Sequence, residues 1–179
     1  MDNKSVKRVL DSSGGIRESE GVAIGEIIGS VKRALIETQE DMESSGIKIK
    51  SIQLKLKLIA SEKAGAGVTL QIPLLGKLKL GSDISVKSVQ TTSLTLKTLK
   101  TPTKSVYKLM ELDEKLAKSI LSLTEGIKAA ACDEPPLEMG ESSIELNFIL
   151  KSESEISFLI EAGFESELTN TLKMIFEKI

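Results

Sequence analysis

The stretch Ile47–Ile59, IKIKSIQLKLKLI, decides the fold. From Ile52 to Leu58 it alternates strictly, with Ile52, Leu54, Leu56 and Leu58 on one side and Gln53, Lys55 and Lys57 on the other. Successive side chains of a strand point to opposite faces, so the pattern specifies a strand with one dry face and one wet face. Ile47 and Ile49 occupy odd positions, whereas the apolar set from Ile52 onward is even. A one-residue change of phase turns the dry side over unless a residue is inserted, so a bulge or short turn is expected near Lys50-Ser51.

Upstream, Val22–Ser45 carries Ile24, Ile27, Ile28, Val31, Leu35 and Met42 at three- and four-residue intervals, the stripe of an amphipathic helix. Gly46 is placed to cap its C-terminus. Gly25 and Gly29 lie inside it and weaken it, and their spacing suits close backbone approach, by the sheet or by a second helix. Residues 1–20 read as a mobile arm with a short helical turn at Val6–Leu10. Downstream, Ser61–Gly67 is a hairpin loop, and Val68, Leu70 and Ile72 form a strand ended by Pro73. Leu74–Gly81 is a ragged continuation or an extended loop, and Ile84, Val86, Leu94 and Leu96 supply a closing strand. Thr101-Pro102-Thr103 interrupts the pattern and marks a boundary.

Beyond it the design repeats. Leu109–Ala131 is helical, with Leu112, Leu116, Ile120, Leu123 and Ile127 on one stripe, and Pro135-Pro136 stops it. Ser143–Lys151 and Glu155–Glu161 form a tight hairpin, and after a turn near Gly163 a strand follows in which Leu172, Met174 and Phe176 alternate with Lys173, Ile175 and Glu177. An offset of 92 carries Ile24, Ile28, Val31 and Leu35 onto Leu116, Ile120, Leu123 and Ile127, and Ile52, Leu54, Leu56 and Leu58 onto Ile144, Leu146, Phe148 and Leu150. It falls to 88 for Val68, Leu70 and Ile72 onto Ile156, Phe158 and Ile160, and to 78 for Leu94 and Leu96 onto Leu172 and Met174. The expected fold is therefore α+β, two tandem units that each lay an amphipathic helix on a roughly three-stranded antiparallel meander. The expected divisions are an arm at 1–20, units at 21–101 and 109–179, and a linker at 102–108. Units this small have marginal cores, so pairing within or between chains is expected.

Composition restricts the chemistry. The 179 residues include no His and a single Cys132, so common zinc ligand sets and Ser-His-Asp or Cys-His nucleophile arrangements cannot be assembled within one chain. No catalytic residue, cofactor or metal is expected; chemistry by carboxylates or Lys stays formally open. Five aromatics and no Trp leave Leu, Ile and Val to build the core. The N-terminal MDNKSVKRVLDSSGG lacks the apolar region of a signal peptide, and no window approaches 18 apolar residues, so a cytoplasmic protein without a membrane span is expected.

Charge is divided between the halves. Ile47–Lys108 holds 12 Lys against Glu62 and Asp83, a balance of +10, whereas Leu109–Ile179 holds 6 Lys against 15 acidic residues, a balance of −9. The division favours contact between unit 1 and unit 2 over contact of unit 1 with itself. The candidate interaction surface comprises Lys48, Lys50, Lys55, Lys57, Lys77 and Lys79 with Glu145, Glu153, Glu155 and Glu161. The Lys face could track phosphates. It lacks the Arg and interleaved aromatics of nucleic-acid-binding sheets, so it reads first as a solvated face and second as a binder of nucleic acid or another anionic surface.

The amphipathic helix followed by SIQLKLKLIASEKAGAGVTLQI and a closing VQTTSLTLKTL resembles the trypsin-co-occurring domain type 2 of bacteria, best over Gly21–Leu99 and again, in degenerate form, over Leu112–Lys178. The resemblance implies a small non-catalytic module associated with trypsin-like peptidases in bacterial conflict or signalling systems. With no peptidase portion in this chain, the peptidase or another conflict-system protein is expected as a separate partner. Self-association into a homo-oligomer is expected beside it.

Overall fold

The alternation of Ile52–Leu58 is built into one 17-residue strand, Ile47–Lys63. A computed structural model of the protein describes residues 9–10, 16–17, 21–63, 67–79, 89–97, 111–132, 134–153 and 155–179. Along the chain these form β1 (Val9–Leu10), β2 (Ile16–Arg17), β3 (Gly21–Val22), α1 (Ile24–Ser44), β4 (Ile47–Lys63) and β5 (Gly67–Pro73). There follow α2 (Leu75–Lys79), β6 (Val89–Leu96), α3 (Glu111–Cys132), β7 (Ser142–Leu150), β8 (Ile156–Ser157), α4 (Phe164–Glu167) and β9 (Asn170–Lys178). The architecture is α+β: a curled antiparallel sheet with two long helices on one face.

Strand β4 is the spine of that sheet. Ile52 pairs with Met174 of β9 on one edge and Leu96 of β6 on the other, and Ile59 pairs with Gln71 of β5 and Val89 of β6. Strands β9 and β5 therefore lie end to end along the same edge of β4, opposite β6. Beyond β9 come β7 and then β8, and β3 adds to β5. The expected bulge is present: the β4–β9 register jumps between Ile49 and Ser51, leaving Lys50 unpaired. The insertion keeps Ile47 and Ile49 on the dry side with Ile52.

The dry face forms one core. Ile52, Leu54, Leu56 and Leu58 pack with Leu172, Met174 and Phe176 of β9 and with Phe148 and Leu150 of β7. Over them lie Ile27, Val31, Ala34 and Leu35 of α1 and Leu112, Leu116, Ala117 and Ile120 of α3, the stripes expected from the sequence. A buried Leu or Ile contributes about 1.5–3 kcal/mol relative to exposure, so this cluster, shared by both halves of the chain, dominates stability. Gly46 closes α1 at φ 68°, a left-handed conformation that glycine adopts without strain.

Where β9 stops and β5 has not yet begun, the middle of β4 has no neighbouring strand on that edge. Asn170 fills the gap. Its Oδ1 accepts from the Lys57 backbone N–H at 2.8 Å, and its Nδ2 donates to the Leu168 and Phe148 carbonyls at 3.3 and 3.4 Å. Asn170 is buried, so water cannot replace these bonds. Asn170→Ala is expected to cost about 2 kcal/mol, since an orphaned buried N–H alone costs roughly 1–3 kcal/mol. Urea unfolding measures the loss, and faster hydrogen exchange at the Lys57 amide locates it.

A second, smaller cluster lies on the opposite face at one end of the sheet. Leu75 and Leu78 of α2, Ile149 and Leu168 form it, with Val89 and Ile160 against them. Burial on both faces explains why Ile59 and the run Phe148-Ile149-Leu150 break the alternation with adjacent buried residues.

Several expectations are corrected. Leu74–Gly81 is neither strand nor loop over its described part: it turns into α2, because Leu75 and Leu78, three apart, reach the second cluster together only on a helix. Val9–Leu10 is not helical but pairs antiparallel with Ile16–Arg17. Gly25 and Gly29 do not admit a neighbouring backbone: a Cβ at Gly25 meets nothing within 4 Å, and one at Gly29 meets only the Arg33 side chain. The close approaches are at Gly21 and Gly76, where a Cβ would lie 2.5 Å from the Ile72 carbonyl oxygen and 2.9 Å from that of Lys151. Val68 and Leu70 are 62% and 44% exposed, not core. The hairpin arm Glu155–Glu161 is reduced to Ile156–Ser157, and α4 is added before β9. Ile84, Val86, the Thr101–Thr103 boundary and the 102–108 linker lie outside the described residues.

The register of the two halves coincides at the closing strands. Ile52 and Leu54 face Leu96 and Leu94, and Ile144 and Leu146 face Met174 and Leu172, the pairings that offsets of 92 and 78 require. The hairpin arms differ. Offsets of 92 and 88 would transform the Ile59–Gln71 pair into Lys151–Leu159, whereas Leu150 pairs with Ile156. The tight turn from Lys151 to Glu155, closed by a 2.9 Å Lys151 N–H to Glu155 carbonyl bond, shortens the arm.

Candidate interaction surface

The wet face of the sheet joins residues of both halves. Gln53 and Lys55 of β4 stand opposite Lys173 and Thr171 of β9, which stand opposite Glu145 and Asn147 of β7. On the other side of β4, Lys57 faces Thr91 of β6, and its Nζ donates to the Thr91 Oγ1 at 2.9 Å. Lys48, Lys55, Lys57 and Glu145 thus share one surface. Lys50 projects from the bulge, Lys77 sits on α2, and Glu153, Glu155 and Glu161 lie in the turns before and after β8. The Lys79 side chain lies outside the described residues. The ten residues do not form one patch.

Basic and acidic residues meet across the halves where Lys48 lies 3.5 Å from Glu177 and Lys50 3.0 Å from Glu141. Within the second half, Lys173 lies 3.9 Å from Glu145 and Lys178 bonds Glu138. The hydrogen bond and charge of Glu141 raise the Lys50 pKa, and the hydrogen bond from Lys178 lowers that of Glu138. These exposed pairs are each worth little, but the interleaved carboxylates cancel the field a phosphate chain would follow. Beneath the helices a different ion pair holds α1 to α3: the Arg33 guanidinium donates to Asp113 at 2.7 and 3.4 Å, and Asp113 is fully buried.

Two hollows flank α3. One, between the starts of α1 and α3 and the turn before β8, encloses about 40 Å³, too little for a ligand larger than water, although Glu26, Glu111, Glu153 and Glu155 line it. Among the described residues no group of three or more acidic or Cys side chains is arranged to hold a metal ion. The other is a groove of about 320 Å³ along β7, lined by Lys115, Lys118, Ser119, Leu146 and Phe158. Glu111 and Lys115 pin its end. Lys115 Nζ lies 2.7 Å from Glu111 and 5.0 Å from the Phe158 ring centre, and Glu111 accepts from the Ile156 N–H at 3.3 Å. The Lys115 hydrogen bond first, and the Ile156 N–H second, lower the Glu111 pKa. A lowered carboxylate pKa gives stability that is present above the unfolded value and lost as pH falls through the folded one. Glu111→Gln is therefore expected to reduce the acid sensitivity of the melting temperature below the ordinary carboxylate range, and melts across that range check it.

The sheet edges are the feature the charge pattern did not reveal. Among the described residues, the outer edge of β6 has no partner, and that of β7 has none from Ser142 to Phe148. Proteins usually blunt such edges with Lys, Pro or bulges. Strand β6, VQTTSLTL, contains no charged residue and no Pro, a signal that was present in the sequence.

The described residues thus form a curled α+β sheet with two helices on one face. Residues 22–98 match the family model of trypsin-co-occurring domain 2. No curated protein and no solved structure is detectably similar to the chain. No helix among the described residues is long and apolar enough to cross a membrane.

Proposed function

We propose that the protein is a non-enzymatic interaction and assembly module of a bacterial conflict or signalling system, cytoplasmic, built from two copies of one helix-plus-meander unit. It associates with copies of itself and with a separate trypsin-like peptidase. The observation that supports the reading is the pair of sheet edges, on β6 and β7, that have no partner strand among the described residues. The family of residues 22–98, named for its co-occurrence with trypsin, supports a peptidase as the second partner. Binding of a nucleic acid or anionic surface is the weaker reading, because Glu177 and Glu141 of the second half pair with Lys48 and Lys50.

Light scattering on the full chain tests the assembly. The expected mass is a multiple of 19.3 kDa at both low and high salt, since backbone pairing and apolar contact survive screening. A monomer under both conditions overturns it. Salt-sensitive retention on a polyanion column would favour the anionic-surface reading instead.

A further inference from the structure

We propose that β6 of one copy adds to the open edge of β7 of a second copy, antiparallel, with Leu94 opposite Leu146 and Leu96 opposite Ile144. The proposal rests on the self-association reading and names the surface that performs it.

The template lies inside the chain. On one side of β9, Leu172 and Met174 pair with Leu146 and Ile144; on the other, they pair with Leu54 and Ile52 of β4. On its one paired side β6 presents Leu94 and Leu96 to the same Leu54 and Ile52. Strand β6 thus holds, against β4, the place that β9 holds against β7. Among the described residues β6 lacks the second neighbour that β9 has, and the equivalent of that neighbour is β7. The β7 of the same chain is three strands away, roughly 14 Å at about 4.8 Å per strand, so it must come from another copy.

The surfaces agree with this register. Leu94 and Leu96 are only partly buried in the single chain, at the margin of the core. In the added position Leu94 enters the groove beside β7, against Leu146 and Phe158. On the outer face Thr95 falls opposite Glu145 and Ser93 opposite Asn147, with no like charges directly opposed. The uncharged composition of β6 permits the pairing, which a Lys-studded edge would resist. Each copy offers one β6 edge and one β7 edge, so the contact is head-to-tail; a dimeric ring and a longer chain of copies share it.

The test is directed disulfide formation in full-length protein lacking its exposed Cys132 through Cys132→Ser. One preparation carries Thr95→Cys and the other Glu145→Cys, both at exposed positions that stand opposite in the proposed register. Mixed and mildly oxidised, they are expected to give the cross-linked heterodimer as the predominant product. Replacing Thr95→Cys by Thr91→Cys, four residues out of register, is expected to lower the yield several-fold. Equal yields from the two pairs, or no cross-link while light scattering still shows a multiple of 19.3 kDa, would overturn the edge pairing and leave self-association standing. A monomer by light scattering overturns both.

Discussion

Cut between Lys104 and Ser105, the chain is expected to lose its cooperative thermal transition in each isolated fragment and to recover it when the fragments are mixed. The reason is the position of β9. It comes from the second half of the sequence yet lies between β4 and β7, so removing the second fragment strips one edge of β4 from Ile47 to Lys55. The same cut takes Leu172, Met174 and Phe176 from beside Ile52 and Leu54 and lifts α3 from α1. What remains of the first half is a single helix on β4, β5 and β6, a size at which burial barely offsets chain entropy. The second fragment keeps α3, β7 and β9 and loses the spine. Calorimetry and circular dichroism on the fragments, separately and mixed, give the answer. A sharp transition in either fragment alone would show that the halves are independent domains.

Asp113→Ala is expected to destabilise the intact protein by about 3–5 kcal/mol, the usual cost of removing one partner from a buried ion pair. Asp113 is fully buried, whereas the Arg33 side chain keeps 22% exposure, so the guanidinium recovers some hydration and the lower end of the range applies. Ser30 Oγ, which accepts from Arg33 at 3.0 Å, does not replace the lost charge. Such a loss is a large share of the 5–15 kcal/mol that a typical domain possesses. The double variant Arg33→Met with Asp113→Leu is expected to regain most of it, because apolar groups of similar size avoid desolvating two charges. Urea unfolding of the three proteins decides. A single variant within about 1 kcal/mol of the parent would mean that the pair does not hold the helices together.

Local pattern carried much of this fold and little of its surface. The Lys50 bulge was legible because a phase change in alternation has only a few remedies, whereas the pairing of β6 with β4 was not, since a meander would place the closing strand beside β5. Helix α2 was not legible: Leu78 and Leu80 alternate with Lys77 and Lys79 in the sequence as they would in a strand, and five residues are too few for a period of 3.6 to stand out. The retreat of β8 to two residues reflects the turn at Lys151–Glu155 and the anchorage of Ile156 by Glu111, both tertiary. The lysines of β4 were correctly read as a wet face. That Glu177 stands beside Lys48 could not be read, since no local signal states which distant strand lies beside β4. The opposite charges of the two stretches meet at Lys48–Glu177 and Lys50–Glu141, whereas the Arg33–Asp113 pair lies outside that division.

The bond from Lys57 to Asn170 spans 113 positions of sequence. During synthesis, the spine must therefore wait, one side bare, until the ribosome has released the segment that completes it. Topologies closed by such distant pairings fold slowly and stay vulnerable to aggregation meanwhile.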